Sequence, residues 1–246
     1  MRVYFLKHVA HASHSQLRQP AGRRPLNSIG MLLASLFVLP LCIGCGIQNS
    51  SVLDSGNPQV ALYTVALSRP GTATVYFGKT ASYGFQTSFI HTSSWGGPIR
   101  IYVAGMLAKT TYHMQLRVVY DDGTTANDVD RTFTTGTYPN ILGAQISASA
   151  SPGQTPQPGV EILNPVPLAA STNTEIEATD LSGNVIWTYH PPDVMGSSAW
   201  GAPKLLSNGD FIAYAAPPDA GFSATVPAGV PNLVREFDLA GIPSNR

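Results

Sequence analysis

The segment Tyr112-His113-Met114-Gln115-Leu116-Arg117-Val118-Val119-Tyr120, which runs directly into Asp121-Asp122-Gly123, carries the clearest fold signal in the chain. Apolar and polar residues alternate through most of the segment, and this period of two is typical of a β-strand with one buried face. The Asp and Gly residues that follow favour a tight turn, because they tolerate the backbone angles of hairpin loops. This stretch therefore predicts a long strand that ends in a hairpin.

Four other segments alternate in the same way or are rich in β-branched and aromatic residues. They are Ala61 to Leu67, Thr72 to Phe77, Ile99 to Val103 and Arg131 to Thr135. Pro70-Gly71 and Gly96-Gly97-Pro98 supply turn residues between the strands. Short strands at this spacing predict a small β-sandwich, to which we assign residues 58–138. We expect this domain to fold on its own.

The composition describes a globular chain of the all-β class. Of its 246 residues, 43% are hydrophobic and 11% are charged, and the formal net charge is zero, which gives no reason to expect a nucleic-acid partner. The chain contains 20 Pro and 23 Gly, as expected for short strands joined by many turns. We therefore expect an all-β fold.

The first 45 residues have the composition of a targeting segment. Positive charges precede an apolar run from Ile29 to Ile43, and no acidic residue occurs before Asp54. The run is shorter than the roughly 20 residues that span a bilayer, so it indicates the apolar part of a signal peptide.

Leu41-Cys42-Ile43-Gly44-Cys45 resembles the bacterial lipobox, although Cys42 stands where Leu is usual. The resemblance implies that Cys45 receives a lipid, becomes the new N-terminus and anchors the protein to the lipid bilayer of the cell envelope, on its periplasmic or extracellular face. An uncleaved signal anchor is the alternative. Residues 46–57 are predicted to be a polar tether. No cysteine follows Cys45, so the exported domains contain no disulfide.

The segment from Gly105 to Tyr112 resembles a pattern of fibronectin type III domains in which alternate residues lead into a strand. Met and Ala stand where that family has Leu and Pro. The resemblance implies that Tyr112 is a structural tyrosine-corner residue whose hydroxyl bonds to the preceding backbone. His91 and His113 fall in this domain without a carboxylate or cysteine at ligand spacing, so we predict surface histidines and no metal site.

Residues 139–158 are rich in Ser, Pro, Gly and Ala and predict a linker. Beyond it, in residues 159–246, Asp180-Leu181-Ser182-Gly183 recurs as Asp238-Leu239-Ala240-Gly241, each copy after a strand-like segment. Between the copies, Ser207-Asn208-Gly209-Asp210 contains Asn-Gly, a strong hairpin signal. Repeated hairpins of this kind are typical of β-propeller blades.

Three segments, Gly159 to Pro165, Ala178 to Tyr189 and Lys204 to Phe211, look like the opening blade of the bacterial arylsulfotransferases. The resemblance implies sulfuryl transfer from a phenolic sulfate to a phenol through a histidine, without a cofactor or metal. No catalytic residue is matched: His190 lies in a Pro-bounded loop, and Lys204 and Arg235 are expected to be solvated charges. An unrelated propeller repeat with the same turns is the alternative.

The second copy of the repeat stops at Arg246, where a strand would be expected to continue. We therefore expect a fibronectin type III-like β-sandwich followed by the incomplete start of a β-propeller. The chain would be an N-terminal fragment of an arylsulfotransferase-like lipoprotein and would be inactive by itself. We expect residues 159–246 to be mobile, because one blade cannot bury both faces. Two alternatives remain: an envelope lipoprotein in which the sandwich binds a ligand, and a structural spacer that carries a vestigial blade.

Overall fold

The computed structural model describes residues 46–92, 95–138, 149, 151–155, 159–164, 176–189, 203–215 and 233–244. In these ranges the chain forms antiparallel β-sheets, and no helix is present among them. The expected all-β fold class is confirmed. Nine strands belong to a β-sandwich in the first part of the chain, and six strands of two to five residues form two further sheets.

The sandwich begins with a three-stranded sheet, sheet I, in the order β1-β2-β6. Its strands are β1 (Ile47–Asp54), β2 (Ala61–Leu67) and β6 (Gly97–Val103). Sheet II has the order β4-β3-β7-β8, with β5 also pairing with β3 and β9 with β7. Its strands are β3 (Gly71–Gly78), β4 (Phe85–Gln86), β5 (Ile90–His91), β7 (Thr111–Tyr120), β8 (Thr125–Asn127) and β9 (Arg131–Thr134).

The core of the sandwich is formed by the inward-facing residues of both sheets. In β7, buried Tyr112, Met114, Leu116, Val118 and Tyr120 alternate with more exposed residues, as the sequence period predicts. Every second residue of β3 is buried in the same way. Of the aromatic residues of β3, Phe77 is the one that lies in the core. Its ring centroid is 5.5 Å from that of Phe85 and 6.3 Å from that of Tyr112.

The prediction of a polar tether at residues 46–57 is wrong for most of that range, because Ile47–Asp54 forms strand β1 along the edge of sheet I. The alternation of this strand is obscured by an irregularity between Gln48 and Ser51, where Asn49 has a φ of 50°. An edge strand is held by backbone hydrogen bonds to one neighbour, so polar side chains do not prevent it from forming. The sandwich therefore includes this segment, and its described part begins at residue 46.

The remaining described strands form two three-stranded antiparallel sheets, which we call the repeat sheets. Sheet III has the order β10-β11-β12, and sheet IV the order β13-β14-β15. Their strands are β10 (Glu161–Leu163), β11 (Ile176–Thr179), β12 (Val185–Tyr189), β13 (Lys204–Leu205), β14 (Phe211–Ala215) and β15 (Leu233–Phe237). The predicted Asn-Gly hairpin is confirmed between β13 and β14, where Gly209 has a φ of 93°. The 139–158 linker lies mostly outside the described ranges.

The two copies of the Asp-x-x-Gly motif fold into the same turn. The backbone N–H of Gly183 donates to the carbonyl of Asp180, and that of Gly241 donates to the carbonyl of Asp238, while both glycines have a φ of 81°. In both turns the aspartate carboxylate accepts the N–H of the residue four positions on, at 2.9 Å. The sequence repeat is thus a structural repeat at the level of the hairpin.

A second core joins the repeat sheets to each other and to the sandwich. Rings of Tyr189 and Phe237 stack with centroids 3.7 Å apart, and the indole N–H of Trp187 donates to the carbonyl of Leu239 at 2.8 Å. Leu62 and Tyr102 from the outer face of sheet I belong to the same buried cluster. The described strands of residues 159–246 therefore share a packed core, because sheet I covers apolar surface that an isolated blade would expose, and this packing argues against the mobility expected for them.

Polar contacts reinforce this junction. The side-chain amide of Asn57 donates to the carbonyl of Thr188 at 2.8 Å, across 131 positions in sequence. The buried amide of Gln59 donates to the carbonyls of Met106 and Val185 at 3.0 and 3.2 Å. Burial, together with a hydrogen bond to the carboxylate of Asp238, raises the pKa of Tyr102 to about 12. Sheet I is therefore sandwiched between sheet II and the repeat sheets.

Candidate functional site

A cleft of about 480 Å³ opens where the sandwich meets sheet III. This volume lies in the range of roughly 300–1,000 Å³ that is usual for small-molecule sites, and such sites are frequent at domain junctions. Its lining residues come from both units: Lys79, Phe85, Gly105, Leu107 and Tyr112 from the sandwich, and Gly159, Asp180, Leu181, Ser182, Asn184 and Ile186 from the repeat region. We call this site the junction cleft.

The walls of the junction cleft are held by local structure. The hydroxyl of Tyr112 accepts a hydrogen bond from the backbone N–H of Leu107 at 3.0 Å, and the hydroxyl of Thr135 donates to the carbonyl of Leu107 at 2.6 Å. The opposite wall is the first Asp-x-x-Gly turn. Both elements are fixed by hydrogen bonds before any ligand arrives, which lowers the entropic cost of binding.

The polar groups of the cleft differ in what they can still bind. The Asp180 carboxylate already accepts the backbone N–H groups of Ser182 and Asn184 and the side-chain amide of Asn184, all at 2.9 Å. Lys79 forms no ion pair with any described residue. The cleft thus combines an apolar surface with one cation, Lys79, and one carboxylate, Asp180, whose oxygens already accept three hydrogen bonds within the turn.

A second group of polar residues lies on the exposed face of sheet II. Nδ1 of His113 is 2.7 Å from a carboxylate oxygen of Asp130, and the hydroxyl of Tyr83 donates to the other oxygen at 3.0 Å. The guanidinium of Arg117 lies 4.2 Å from the ring centroid of Tyr76 and 5.7 Å from that of Tyr83. Burial and the hydrogen bond to Asp130 raise the pKa of Tyr83.

Tyr83 in this group has an unusual backbone conformation, with a φ of 60°. A bulky residue in the left-handed region is uncommon and is often tied to a functional or packing constraint. Here the constraint is the close approach of Gly78, where an added Cβ would lie 1.8 Å from the carbonyl oxygen of Tyr83. The local packing therefore explains the conformation.

His91 is exposed and His113 is partly exposed, in line with the prediction of surface histidines, but each lies near a carboxylate that its neighbours in sequence do not supply. Nε2 of His91 lies 3.8 Å from Asp121, and His113 pairs with Asp130. Both acids are distant in sequence and reach the histidines through strand pairing, so residue spacing could not reveal them. Within the part of the chain that the structure describes, no group of three metal-ligating side chains converges.

The other residues singled out in the sequence are not brought together. Lys204 is opposite Ile212 on β14, whereas Arg235 is opposite Ala213, so the two side chains point to opposite faces of sheet IV. His190 and Cys45 lie outside the described residues. Of the sequence-predicted site residues that the structure describes, only Tyr112 borders the junction cleft. In the described ranges, no helix is long and apolar enough to cross a membrane.

The junction cleft was not predicted from the sequence, since its walls come from segments about 100 residues apart. The turn at Asp180 was recognised, but its position against Tyr112 depends on how sheet III packs on the sandwich. No protein-family model, curated protein or solved structure shows significant similarity to this chain.

Proposed function

We propose that this protein is an exported, membrane-anchored binding protein that holds a small aromatic anion in the junction cleft. The observation that carries the proposal is the cleft itself, in which apolar Phe85, Leu107 and Ile186 lie beside the available cation of Lys79. The strand order of sheets I and II supports the proposal that the sandwich is a fibronectin type III-like domain. Phenolic sulfates have the required chemistry, since they join a flat apolar ring to a fixed negative charge.

Binding is tested by titrating the full chain with phenyl sulfate and measuring heat. Phenol and benzylamine, which lack the anionic group, should bind more weakly. Lys79→Met removes the charge but keeps the length of the side chain, and should weaken phenyl sulfate binding by about fivefold, which corresponds to about 1 kcal/mol for a solvent-exposed charge. Lys204→Met, on sheet IV and away from the cleft, is the matched control and should bind as the unmodified protein does. Equal affinity for the three compounds would overturn the proposal.

Membrane anchoring through Cys45 is part of the proposal and rests on the leader and the lipobox. A Cys45→Ala variant should leave the membrane fraction or accumulate as a precursor. Acylation that is unchanged in this variant would remove Cys45 as the attachment site.

Sulfuryl transfer is the second candidate function, since the two matching Asp-x-x-Gly turns support a blade-type repeat such as arylsulfotransferases carry. That reaction needs a nucleophilic histidine and donors that stabilise the sulfuryl oxygens. Among the described residues, neither half-exposed His113 nor exposed His91 lies in the cleft. We therefore expect this chain to bind phenyl sulfate without turnover. Turnover that is abolished by His190→Ala would instead establish the enzymatic function.

A further inference from the structure

We propose that the end of the sandwich where the chain enters it lies against the bilayer surface, with the side chain of Trp95 in the lipid headgroup region. This inference rests on the membrane anchoring proposed above. It goes beyond anchoring, because it assigns one surface of the fold to the membrane and orients the rest of the molecule.

The first step is that no flexible linker separates the lipid attachment site, Cys45, from the packed part of the sandwich. Gly46 is already packed against the sandwich: its carbonyl accepts the N–H of Ser68 at 2.9 Å, and an added Cβ would lie 2.1 Å from the hydroxyl of Tyr120. Ile47 is buried and pairs with Leu67. Cys45 is joined to Gly46 by one peptide bond, so its Cα lies about 3.8 Å from that of Gly46. A lipid on Cys45 would therefore hold this end of the sandwich at the membrane.

The second step is an exposed tryptophan at the same end. Leu67 pairs with Ile47 on one side and with Gly97 on the other, so the three residues form the last row of sheet I. Trp95 comes two residues before Gly97, and 89% of it is exposed. Gly96 connects them and packs closely on the chain next to Ser68, since an added Cβ would lie 2.5 Å from the carbonyl of Leu67.

Tryptophan suits the boundary between headgroups and acyl chains, because its ring is largely apolar while its indole N–H can remain hydrated. Exposure of the Trp95 side chain to water, by contrast, gives none of the hydrophobic stabilisation that its burial would give. No described contact explains why the Trp95 side chain is exposed, whereas the Trp187 side chain is fully buried in the second core. The bilayer is the apolar surface that the anchor would bring within reach of Trp95.

The charges at this end decide the type of lipid contact. The loops that surround Gly46 carry Arg69, Asp121 and Asp122, and Arg69 forms an ion pair with Asp122. Arg100, which lines a pocket with Gly96 at the same end, brings the count to two cations and two carboxylates, so there is no net charge to attract anionic headgroups. The contact should therefore depend on the insertion of Trp95 and not on lipid charge.

The experiment uses the full chain with its native N-terminus, reconstituted into phosphatidylcholine vesicles that contain lipids brominated either near the headgroup or near the chain end. Co-flotation with the vesicles first tests anchoring. Trp95 emission, taken as the difference between the unmodified protein and Trp95→Phe, should shift to the blue and be quenched more by the shallow bromines. Adding phosphatidylglycerol should not change the quenching.

Leu53→Ala provides the matched control, because Leu53 is an exposed apolar residue at the other end of β1, roughly 20 Å from Ile47 at the usual rise per residue. This variant should float and show the same Trp95 quenching as the unmodified protein. Flotation without quenching would overturn the docking of this surface while leaving the anchor intact, as expected if Trp95 contacts a protein partner instead. Failure to float would overturn both.

Discussion

Tyr112 illustrates how much of this structure depends on single hydrogen bonds. Its ring is buried in the sandwich core, while its hydroxyl accepts the backbone N–H of Leu107. The same residue forms part of the wall of the junction cleft, so a structural contact and a candidate binding surface share one side chain.

Replacing Tyr112 with Phe should lower the free energy of unfolding by about 1–3 kcal/mol, because the N–H of Leu107 would lose its acceptor in a partly buried position. Urea denaturation of the full chain measures this change. Tyr76→Phe, which removes a hydroxyl from the exposed face of sheet II, is the control and should have little effect. Equal midpoints for the two variants would contradict the role of the hydrogen bond.

Glu177 is a carboxyl group in an unfavourable place. It lies in β11 and is only 2% exposed, and burial raises its pKa. A raised pKa in the folded state means that folding favours the protonated form of Glu177. The group therefore makes its full contribution to stability below its ordinary pKa. This contribution is lost as the pH rises through the folded-state pKa.

We therefore expect Glu177→Gln to raise the melting temperature at pH 7 and to give a smaller gain at pH 4, where the native carboxyl is already partly protonated. Thermal unfolding at both pH values measures the difference. Glu236→Gln, on a partly exposed strand position, provides the comparison. A loss of stability at pH 7 would show that the charged form of Glu177 has a stabilising partner.

At the scale of elements, β1 shows why an edge strand is hard to recognise. Its side chains are mostly polar, yet Ile47 reaches the core, and Ser51 shares a hydrogen bond of 2.7 Å with Thr64 on β2. A partly buried network ties the same strand to sheet II, since Arg131 donates to Ser50 at 2.6 Å and to Asp128 at 3.0 Å.

The importance of β1 is tested by comparing two fragments of the sandwich, residues 46–138 and residues 58–138. The longer fragment should be the more stable one, because the shorter fragment loses Ile47 and exposes the edge of β2. Circular dichroism during urea denaturation gives the two midpoints, and solubility reports on the exposed edge. A shorter fragment of equal stability would mean that β1 contributes only as a tether.

At the scale of the whole molecule, sheet I belongs to two cores at once. Its inner face packs in the sandwich, while Leu62 and Tyr102 on its outer face pack with the aromatic cluster of the repeat sheets. Because these sheets share a neighbour, we expect the sandwich and the repeat region to stabilise each other.

This coupling predicts strong hydrogen-exchange protection in β12 and β14 of the full chain. Gln59→Ala, which removes donors to Met106 and Val185 at the junction, should reduce protection in β12 more than in β7. Gln115→Ala, on the exposed face of sheet II, is the control and should leave β12 protected. Rapid exchange throughout β12 and β14 in the unmodified protein would contradict the packed junction.

Local patterns in the sequence determined the all-β class, the strands around Tyr112, the Asn-Gly hairpin and the repeated Asp-x-x-Gly turns. These features depend on side-chain alternation and on turn residues, which act over a few positions and so can be recognised without the fold. Only the tertiary structure decided that β1 is a strand, that His113 meets Asp130, and that sheet I separates two cores. The junction cleft depends on contacts between distant segments, and so does the row of Ile47, Leu67 and Gly97 that brings Trp95 to the same end of sheet I as Gly46. The backbone hydrogen bonds that pair strands are common to nearly all residues, so a local pattern does not show which distant strand a segment will join.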